Sequence, residues 1–164
     1  MIYIGLLSDT HGYLNPSVLK FLDPCDELWH AGDIGNLETL RQLQKFKPVK
    51  AVSGNIDPPE LRFECPEVEV FFAEKMKVVM VHIGGYPGRY SSAARHLIMK
   101  EKPALFVCGH SHILRVVFDA KYQHLVLNPG AAGKTGFHRQ TTALRFRIDS
   151  DQISQMEIFD QNRI

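Results

Sequence analysis

The chain opens with MIYIGLLSDTH (residues 1–11), and this stretch decides the fold class. Residues 2–7 are almost continuously apolar, a pattern typical of a strand that is covered on both faces in a parallel sheet. The strand runs directly into Asp9 and His11. The opening therefore predicts an α/β protein whose first strand ends at two side chains able to bind a metal ion.

The next residues alternate helices with strands. Asn15 and Pro16 supply a helix N-cap and a first-turn proline, and Asn36 can cap a second helix. Apolar strands follow these helices at residues 27–31 and 49–52. The first third of the chain is thus predicted to be β-α-β-α-β.

Hairpins replace this alternation in the second half. Buried strands are predicted at residues 77–81 and 104–108, separated by a helix that Ser91 or Ser92 can cap. Shorter strands joined by turns follow at residues 114–118, 124–127, 141–148 and 153–159. The order predicts a mixed sheet, or a pair of packed sheets, flanked by helices. We expect one domain over residues 1–164.

Composition excludes several classes of protein. Lys and Arg number 19 and Asp and Glu 18, so the formal charge of +1 lacks the basic footprint of a nucleic-acid binder, and nucleic acid is expected at most as a phosphodiester substrate. The opening apolar run is too short to span a bilayer and has no basic region before it, so we expect no membrane partner and a cytoplasmic location. The three cysteines are widely spaced without a CxxC pair, which predicts buried thiols.

Five predicted strands end at side chains of the types that bind metal ions. These side chains are Asp9 and His11, Asp33, Asn55, His82, and His110 and His112. Ligands in open α/β folds sit beyond the carboxyl ends of the strands, where loops converge on a rigid frame. One such motif alone is usually a turn. Their ordered recurrence at five strand ends predicts a metal centre.

The motifs Asp-x-His, Gly-Asp, Gly-Asn-x-Asp, His and Gly-His-x-His occur in this order between Asp9 and His112. This pattern resembles the calcineurin-like metallophosphoesterases, in particular the small single-domain phosphodiesterases of bacteria and archaea. The segment Asn128-Pro129-Gly130 resembles a later turn of that family. The resemblance implies an α/β/β/α sandwich of two mixed β-sheets flanked by helices.

The same resemblance implies a dinuclear centre and its ligands. One ion would be held by Asp9, His11, Asp33 and His112, and the other by Asp33, Asn55, His82 and His110, with Asp33 bridging. Carboxylate, amide and imidazole donors make Mn²⁺ the first expectation, with Fe, Zn or Ni as alternatives. Two ions about 3.5–4 Å apart would turn a bridging water into hydroxide and clamp the phosphate. We therefore expect a phosphodiesterase acting on a small phosphate ester.

The sequence departs from the family pattern at Ile56. Larger phosphatases of this family carry a histidine there that is thought to protonate the leaving oxygen, and isoleucine has no proton to donate. Asp57 is expected to orient the loop or a water, and the catalytic set is predicted as Asn55, Asp57, His82 and Arg89. Arg89, on the glycine-rich loop after His82, is either a phosphate contact or a solvated arginine.

This departure leads to a prediction on leaving groups. We expect slow turnover of alkyl esters and a preference for activated esters or diesters. Ile56→His is expected to raise the rate on alkyl phosphates, measured by phosphate release. No gain would count against the explanation.

Two other functions stay open from the sequence. The retromer subunit that resembles this family acts as a scaffold, so a catalytically weak metal-binding interaction module is the main alternative. A single-zinc amide hydrolase using His11, His110 and His112 is a third. His30 is expected in the core or beside the site, and His96 on the surface. The sequence leaves a homo-oligomer open.

Overall fold

A computed structural model describes residues 1–136 and 138–163. The helices are α1 Pro16–Leu22, α2 Leu37–Phe46, α3 Pro59–Glu64 and α4 Ser92–Glu101. The strands are β1 Ile2–Leu7, β2 Glu27–His30, β3 Val49–Ala51, β4 Val68–Ala73, β5 Met76–Val81, β6 Leu105–Val107, β7 Leu114–Asp119, β8 His124–Pro129, β9 Gln140–Asp149 and β10 Gln152–Asn162. No helix among the described residues is long and apolar enough to cross a membrane.

The predicted helix caps are confirmed. The side chain of Asn15 accepts a hydrogen bond from the backbone N–H of Ser17, and Asn36 accepts one from Thr39. Ser91, and not Ser92, caps α4. These bonds satisfy backbone donors that the first helical turn leaves free, so each helix begins where the sequence predicted.

Two five-stranded mixed sheets form the centre of the fold. The first has the order β10-β9-β1-β2-β3, with β1, β2 and β3 parallel and β9 and β10 antiparallel. The second has the order β4-β5-β6-β8-β7, in which β5, β6 and β8 are parallel and the two edge strands antiparallel. This arrangement confirms the predicted α/β class with two mixed sheets.

The main core lies between the two sheets. Trp29 and Phe146 from the first sheet are fully buried and pack edge to face at 5.9 Å, in a cluster with Met80 and Val107 of the second. Separate apolar clusters seal α1 and α2 on one outer face and α4 on the other. The layers are therefore helices, sheet, sheet and helix, as the α/β/β/α sandwich predicts.

Two elements were not predicted from the sequence. These are α3 and β4. Predicted strands at residues 27–31, 49–52 and 104–108 are each shorter in the structure by one or two residues, and in all three the last predicted residue already belongs to the loop that carries ligands.

Parallel strands from both sheets place their carboxyl ends at one side of the molecule. The loop after β1 is bonded to the loop after β2, where the N–H of Asp9 donates to the carbonyl of Gly32. The N–H of Gly109, after β6, donates to the carbonyl of His82, which follows β5. The two sheets thus contribute to one shared edge, where the predicted ligands lie.

Candidate metal centre

Six of the seven predicted ligands lie in two compact groups. Within each group the potential ligand atoms are all within 4.8 Å of one another. The groups are Asp9, His11 and His112, and Asp33, His82 and His110. Each has one carboxylate and two imidazoles from loops that are distant in sequence.

The two groups are contiguous through their carboxylates. Oδ2 of Asp33 lies 3.1 Å from Nε2 of His82 in its own group and 3.7 Å from Nε2 of His11 in the other. Oδ1 of Asp9 lies 3.1 Å from Nε2 of His112 and 3.9 Å from Nε2 of His82. Both carboxylates therefore approach a histidine of the other group, Asp33 slightly more closely, which is the placement that a bridging ligand needs.

Several buried oxygen and nitrogen atoms at this centre that could bind a metal ion lack a hydrogen bond within the described part of the chain. They are Oδ1 of Asp9 and Nε2 of His11 and of His82. Leaving buried polar atoms unsatisfied costs about 1–3 kcal/mol each, so such a cluster needs an explanation. Cations bound by these oxygen and nitrogen atoms would satisfy them. The residues present therefore fit a metal centre.

The orientation of His82 is fixed by the backbone. Its Nδ1 lies 2.7 Å from the carbonyl oxygen of Ala31. Because a carbonyl accepts only, Nδ1 carries a proton, and Nε2 is the ring nitrogen available to a metal ion. Metal-binding histidines commonly show this arrangement. A Cβ at Gly32, whose φ is +94°, would collide with this ring, so the glycine allows the approach.

Five predicted ligands have left-handed backbone conformations. The φ angles lie between 49° and 68° at Asp9, His11, Asp33, His110 and His112. Each such residue costs about 1–2 kcal/mol relative to an ordinary conformation, and strain of this kind clusters at functional sites. The loops thus hold the donors in a conformation that their own backbone disfavours.

This strain predicts that glycine is less destabilising than alanine at position 112, the reverse of the usual order. His112→Ala and His112→Gly both remove the imidazole, but the glycine variant should be more stable by about 1 kcal/mol because it has no Cβ. Urea unfolding of the metal-free proteins measures the difference. His82, which lacks a positive φ, is the matched control: there the alanine variant should be at least as stable. The same order at both positions would contradict strain at His112.

Charges within the centre compensate one another. Burial would raise the pKa of Asp9 and Asp33, but contacts with the imidazoles outweigh it and lower both. The contact with Asp9 raises the pKa of His11, and Asp33 raises that of His82 despite burial. The carboxylates therefore favour protonation of His11 and His82 in the metal-free protein, and a bound cation would compete with those protons.

His30 is fully buried beneath the ligand loops, as expected for a core position. Its Nδ1 accepts a hydrogen bond from the N–H of Gly32, so Nε2 carries the proton and donates to Oγ1 of Thr10 at 2.9 Å. The Thr10 hydroxyl donates in turn to the carbonyl of Ile34. A neutral His30 thus ties the Asp9 loop to the Asp33 loop.

His30 gives a prediction on acid stability. Burial lowers the pKa of its imidazole from 6.5 to about 4. As the pH falls through 6.5 the unfolded state takes up a proton that the folded state refuses, so stability falls until about pH 4. His30→Gln removes this dependence, and the metal-free wild type should lose about 3 kcal/mol more than the variant over that range. Parallel curves of unfolding free energy against pH would contradict this.

The remaining predicted residues occupy different places. Asn55 is exposed, after Gly54, whose substitution by any larger residue would press on the Asp33 carboxylate. Asp57 is buried and belongs to neither ligand group, and its carboxylate accepts hydrogen bonds from the N–H groups of Ile34, Gly35 and Gly54. Asp57 therefore joins the loop after β2 to the loop after β3, and its role in orienting them stays a prediction.

Arg89 is exposed and, within the part of the chain that the structure describes, forms no hydrogen bond or ion pair with either ligand group. Its N–H donates to the carbonyl of Tyr86 in the glycine-rich loop. Its role as a phosphate contact stays a prediction. His96 is exposed, and Cys25, Cys65 and Cys108 are buried and free, as predicted.

Three supporting residues were not identified from the sequence. The Ser8 hydroxyl donates to Oδ2 of Asp9 at 2.6 Å, and Nδ2 of Asn128 donates to the carbonyl of Gly109 at 2.8 Å. Arg62 donates from Nη2 to the carbonyl of Asn55 at 3.0 Å. Ser8 adjoins a motif and Asn128 lies in the later turn, whereas Arg62 belongs to α3, which carried no signal.

Comparison with known proteins identifies the family. Residues 2–151 match the calcineurin-like phosphoesterase superfamily domain. The chain belongs to this superfamily. A protein of Methanothermobacter thermautotrophicus, named a probable metallophosphoesterase, is 28% identical over 135 residues, which cover 78% of this chain and 76% of that protein.

Solved structures of the same fold include different kinds of protein. An archaeal phosphodiesterase superposes with a TM-score of 0.77 at 17% identity, over 96% of this chain and all of that one. Vps29 from Entamoeba histolytica, solved with zinc, has a TM-score of 0.75 at 16% identity, over 99% of this chain and all of that one. At these identities the likeness shows the fold of the phosphoesterase superfamily.

Proposed function

We propose that this chain is a metal-dependent phosphodiesterase with a dinuclear centre. The observation that carries the proposal is the pair of contiguous ligand groups, with Asp33 facing both and with unsatisfied polar atoms in each. Membership of the phosphoesterase superfamily supports hydrolysis of phosphate esters.

Each ligand group would hold one ion. Asp9, His11 and His112 would bind the first, His82 and His110 the second, and Asp33 both. Asn55, on the loop next to Asp33, is the proposed additional ligand of the second ion. Bound divalent ions supply a water of lowered pKa and stabilise charge on phosphate oxygens.

The protein's own groups then fix the donors. Oδ2 of Asp9 accepts from the Ser8 hydroxyl and from the N–H of His110, which leaves Oδ1 free for a cation. Oδ1 of Asp33 accepts from the N–H of Ile56, which leaves Oδ2 toward the histidines. Each carboxylate is thus anchored by one oxygen and available through the other.

The donor set supports Mn²⁺ as the first candidate metal. Carboxylate oxygens and imidazole nitrogens without a thiolate suit Mn, Fe, Zn and Ni. Burial raises the pKa of the Cys108 thiol to about 12, so this neighbouring cysteine stays protonated and does not compete as a ligand.

A diester substrate suits the residue after Asn55. Ile56 is 46% exposed there and has no proton to donate to a leaving oxygen. A diester with an activated alcohol depends least on such a donor. A cytoplasmic location stays a prediction.

A metal-binding scaffold is the second candidate, favoured by the likeness to the zinc-bound Vps29 structure. Hydrolysis of bis(4-nitrophenyl) phosphate with added Mn²⁺, Fe²⁺, Zn²⁺ or Ni²⁺ separates the two. We expect turnover that His82→Ala and Asn55→Ala abolish without unfolding. The exposed histidine variant His96→Ala is the matched control and should retain full activity. A folded, metal-loaded protein that hydrolyses nothing would support the scaffold.

A further inference from the structure

A pocket of about 290 Å³ adjoins the second ligand group. Its wall includes Asn55 and His82, and it continues outward between β4 and α4 along Val68, Ile83, Ala93 and Leu97. The pocket is thus lined by proposed metal ligands on one side and by apolar side chains on the other.

Charged groups at the pocket disfavour a second anion. Arg62 is already engaged, since its Nε donates to the carbonyl of Asp57 at 2.9 Å and its Nη2 to that of Asn55. Glu67 also lines the pocket and offsets the positive charge. An anionic arm would meet a carboxylate and an arginine whose donors are partly used. A neutral organic group would meet neither obstacle.

An exposed apolar residue beside the ligands also favours a neutral group in the pocket. Ile83 directly follows His82, is 47% exposed and lines the pocket. Contact between this exposed side chain and an apolar part of a ligand would favour binding, with a free energy of about 25 cal/mol per Å² of apolar surface buried. The pocket is near the lower end of the size range of small-molecule sites, about 300–1,000 Å³, which fits one ring system.

We propose that this pocket binds a neutral aromatic arm of the phosphate ester while the phosphate group lies at the metal centre. This makes Val68, Ile83, Ala93 and Leu97 residues that determine specificity. The inference rests on the proposed function, because it needs a phosphate group at the neighbouring ligands. It assigns the substrate class as aromatic phosphate esters, as opposed to short alkyl ones.

Binding of two phosphonates to the Mn²⁺-loaded protein tests the proposal without turnover. Titration calorimetry should show phenylphosphonate binding about tenfold more tightly than methylphosphonate. Ala93→Phe fills the pocket from α4 and should bring this ratio close to one while leaving methylphosphonate affinity unchanged. Ala120→Phe makes the same change at an exposed alanine outside the pocket and should keep the preference. Val68→Gln is a second variant without added bulk and should reduce the ratio.

A metal-free measurement separates this inference from the proposed function. Saturation-transfer difference NMR should show phenol binding to the metal-free wild type and to Ala120→Phe. The phenol signal should be lost with Ala93→Phe. Phenol binding at this pocket together with a failure to bind phosphonate would support the pocket and count against the metal centre. Equal affinities of the two phosphonates in the wild type would overturn the inference, as would a preference that Ala93→Phe leaves intact.

Discussion

Asp33→Asn is expected to lower diester hydrolysis by at least about 10³-fold, because Asp33 faces both ligand groups. Its Oδ2 lies within 3.7 Å of Nε2 of both His11 and His82. The amide keeps the shape and the bond from the N–H of Ile56 but removes the negative charge that two bound cations would share. Charge stabilisation of several kcal/mol corresponds to this loss of rate.

The loss should appear in kcat with metal content reduced, measured by steady-state kinetics and elemental analysis. Circular dichroism should show that Asp33→Asn stays folded. Asp23→Asn, at an exposed aspartate, is the control and should behave as wild type. An Asp33→Asn protein within tenfold of the wild-type rate would show that the carboxylate does not bridge.

Asp57→Asn is expected to have the second large effect, on stability and metal affinity together. The buried carboxylate accepts hydrogen bonds from three backbone N–H groups in the loops that carry Asp33 and Asn55. An asparagine has only one oxygen that can accept from these N–H groups. Its own N–H₂ group would face the remaining backbone donors. Hydrogen bonds to a charged group contribute about 1.5–3 kcal/mol each, so we expect a loss of about 3 kcal/mol.

Asp119→Asn separates positioning of the site from general destabilisation. Asp119 is also buried and accepts from the N–H groups of Lys121 and Tyr122 and from the Tyr90 hydroxyl, outside the ligand loops. Both variants should lose stability in urea unfolding. Metal affinity should fall about 10–100-fold in Asp57→Asn and stay unchanged in Asp119→Asn. Equal affinities in the two variants would make Asp57 a purely structural residue.

The sequence predicted most strands, and it predicted which side chains meet at one edge of the sheets, because both depend on local signals. Apolar runs such as residues 2–7 mark buried parallel strands, and ligand types follow them directly. The caps at Asn15, Asn36 and Ser91 are likewise local. A strand that is buried on both faces and ends in a polar motif leaves few alternative structures.

The elements that were missed depend on tertiary contacts. The helix α3 has six residues and no side-chain cap, which is too short for a helical period to show. The edge strand β4 exposes Val68, Val70 and Phe72, so its apolar residues do not mark the core, and pairing with β5 determines it. Assignment of strands to two sheets also depends on distant pairs such as β1 with β9.

Features of the site that the sequence did not predict are geometric. A left-handed conformation at His11 or His112 follows from loop closure by other segments and leaves no mark in residue type. The same holds for the proton on Nδ1 of His82, which the carbonyl of Ala31 fixes from the loop after β2. The candidate ligands were predicted from the sequence, whereas the contacts that hold them in place required the structure.

Metal stoichiometry tests the central claim most directly. Metal-free protein is titrated with Mn²⁺ in a calorimeter, and the loaded, desalted protein is analysed for metal content. Two ions per chain for the wild type, with Asp33→Asn reduced at both sites, is the predicted result. One tightly held ion that survives Asp33→Asn, or none, would contradict a dinuclear centre built on these two groups.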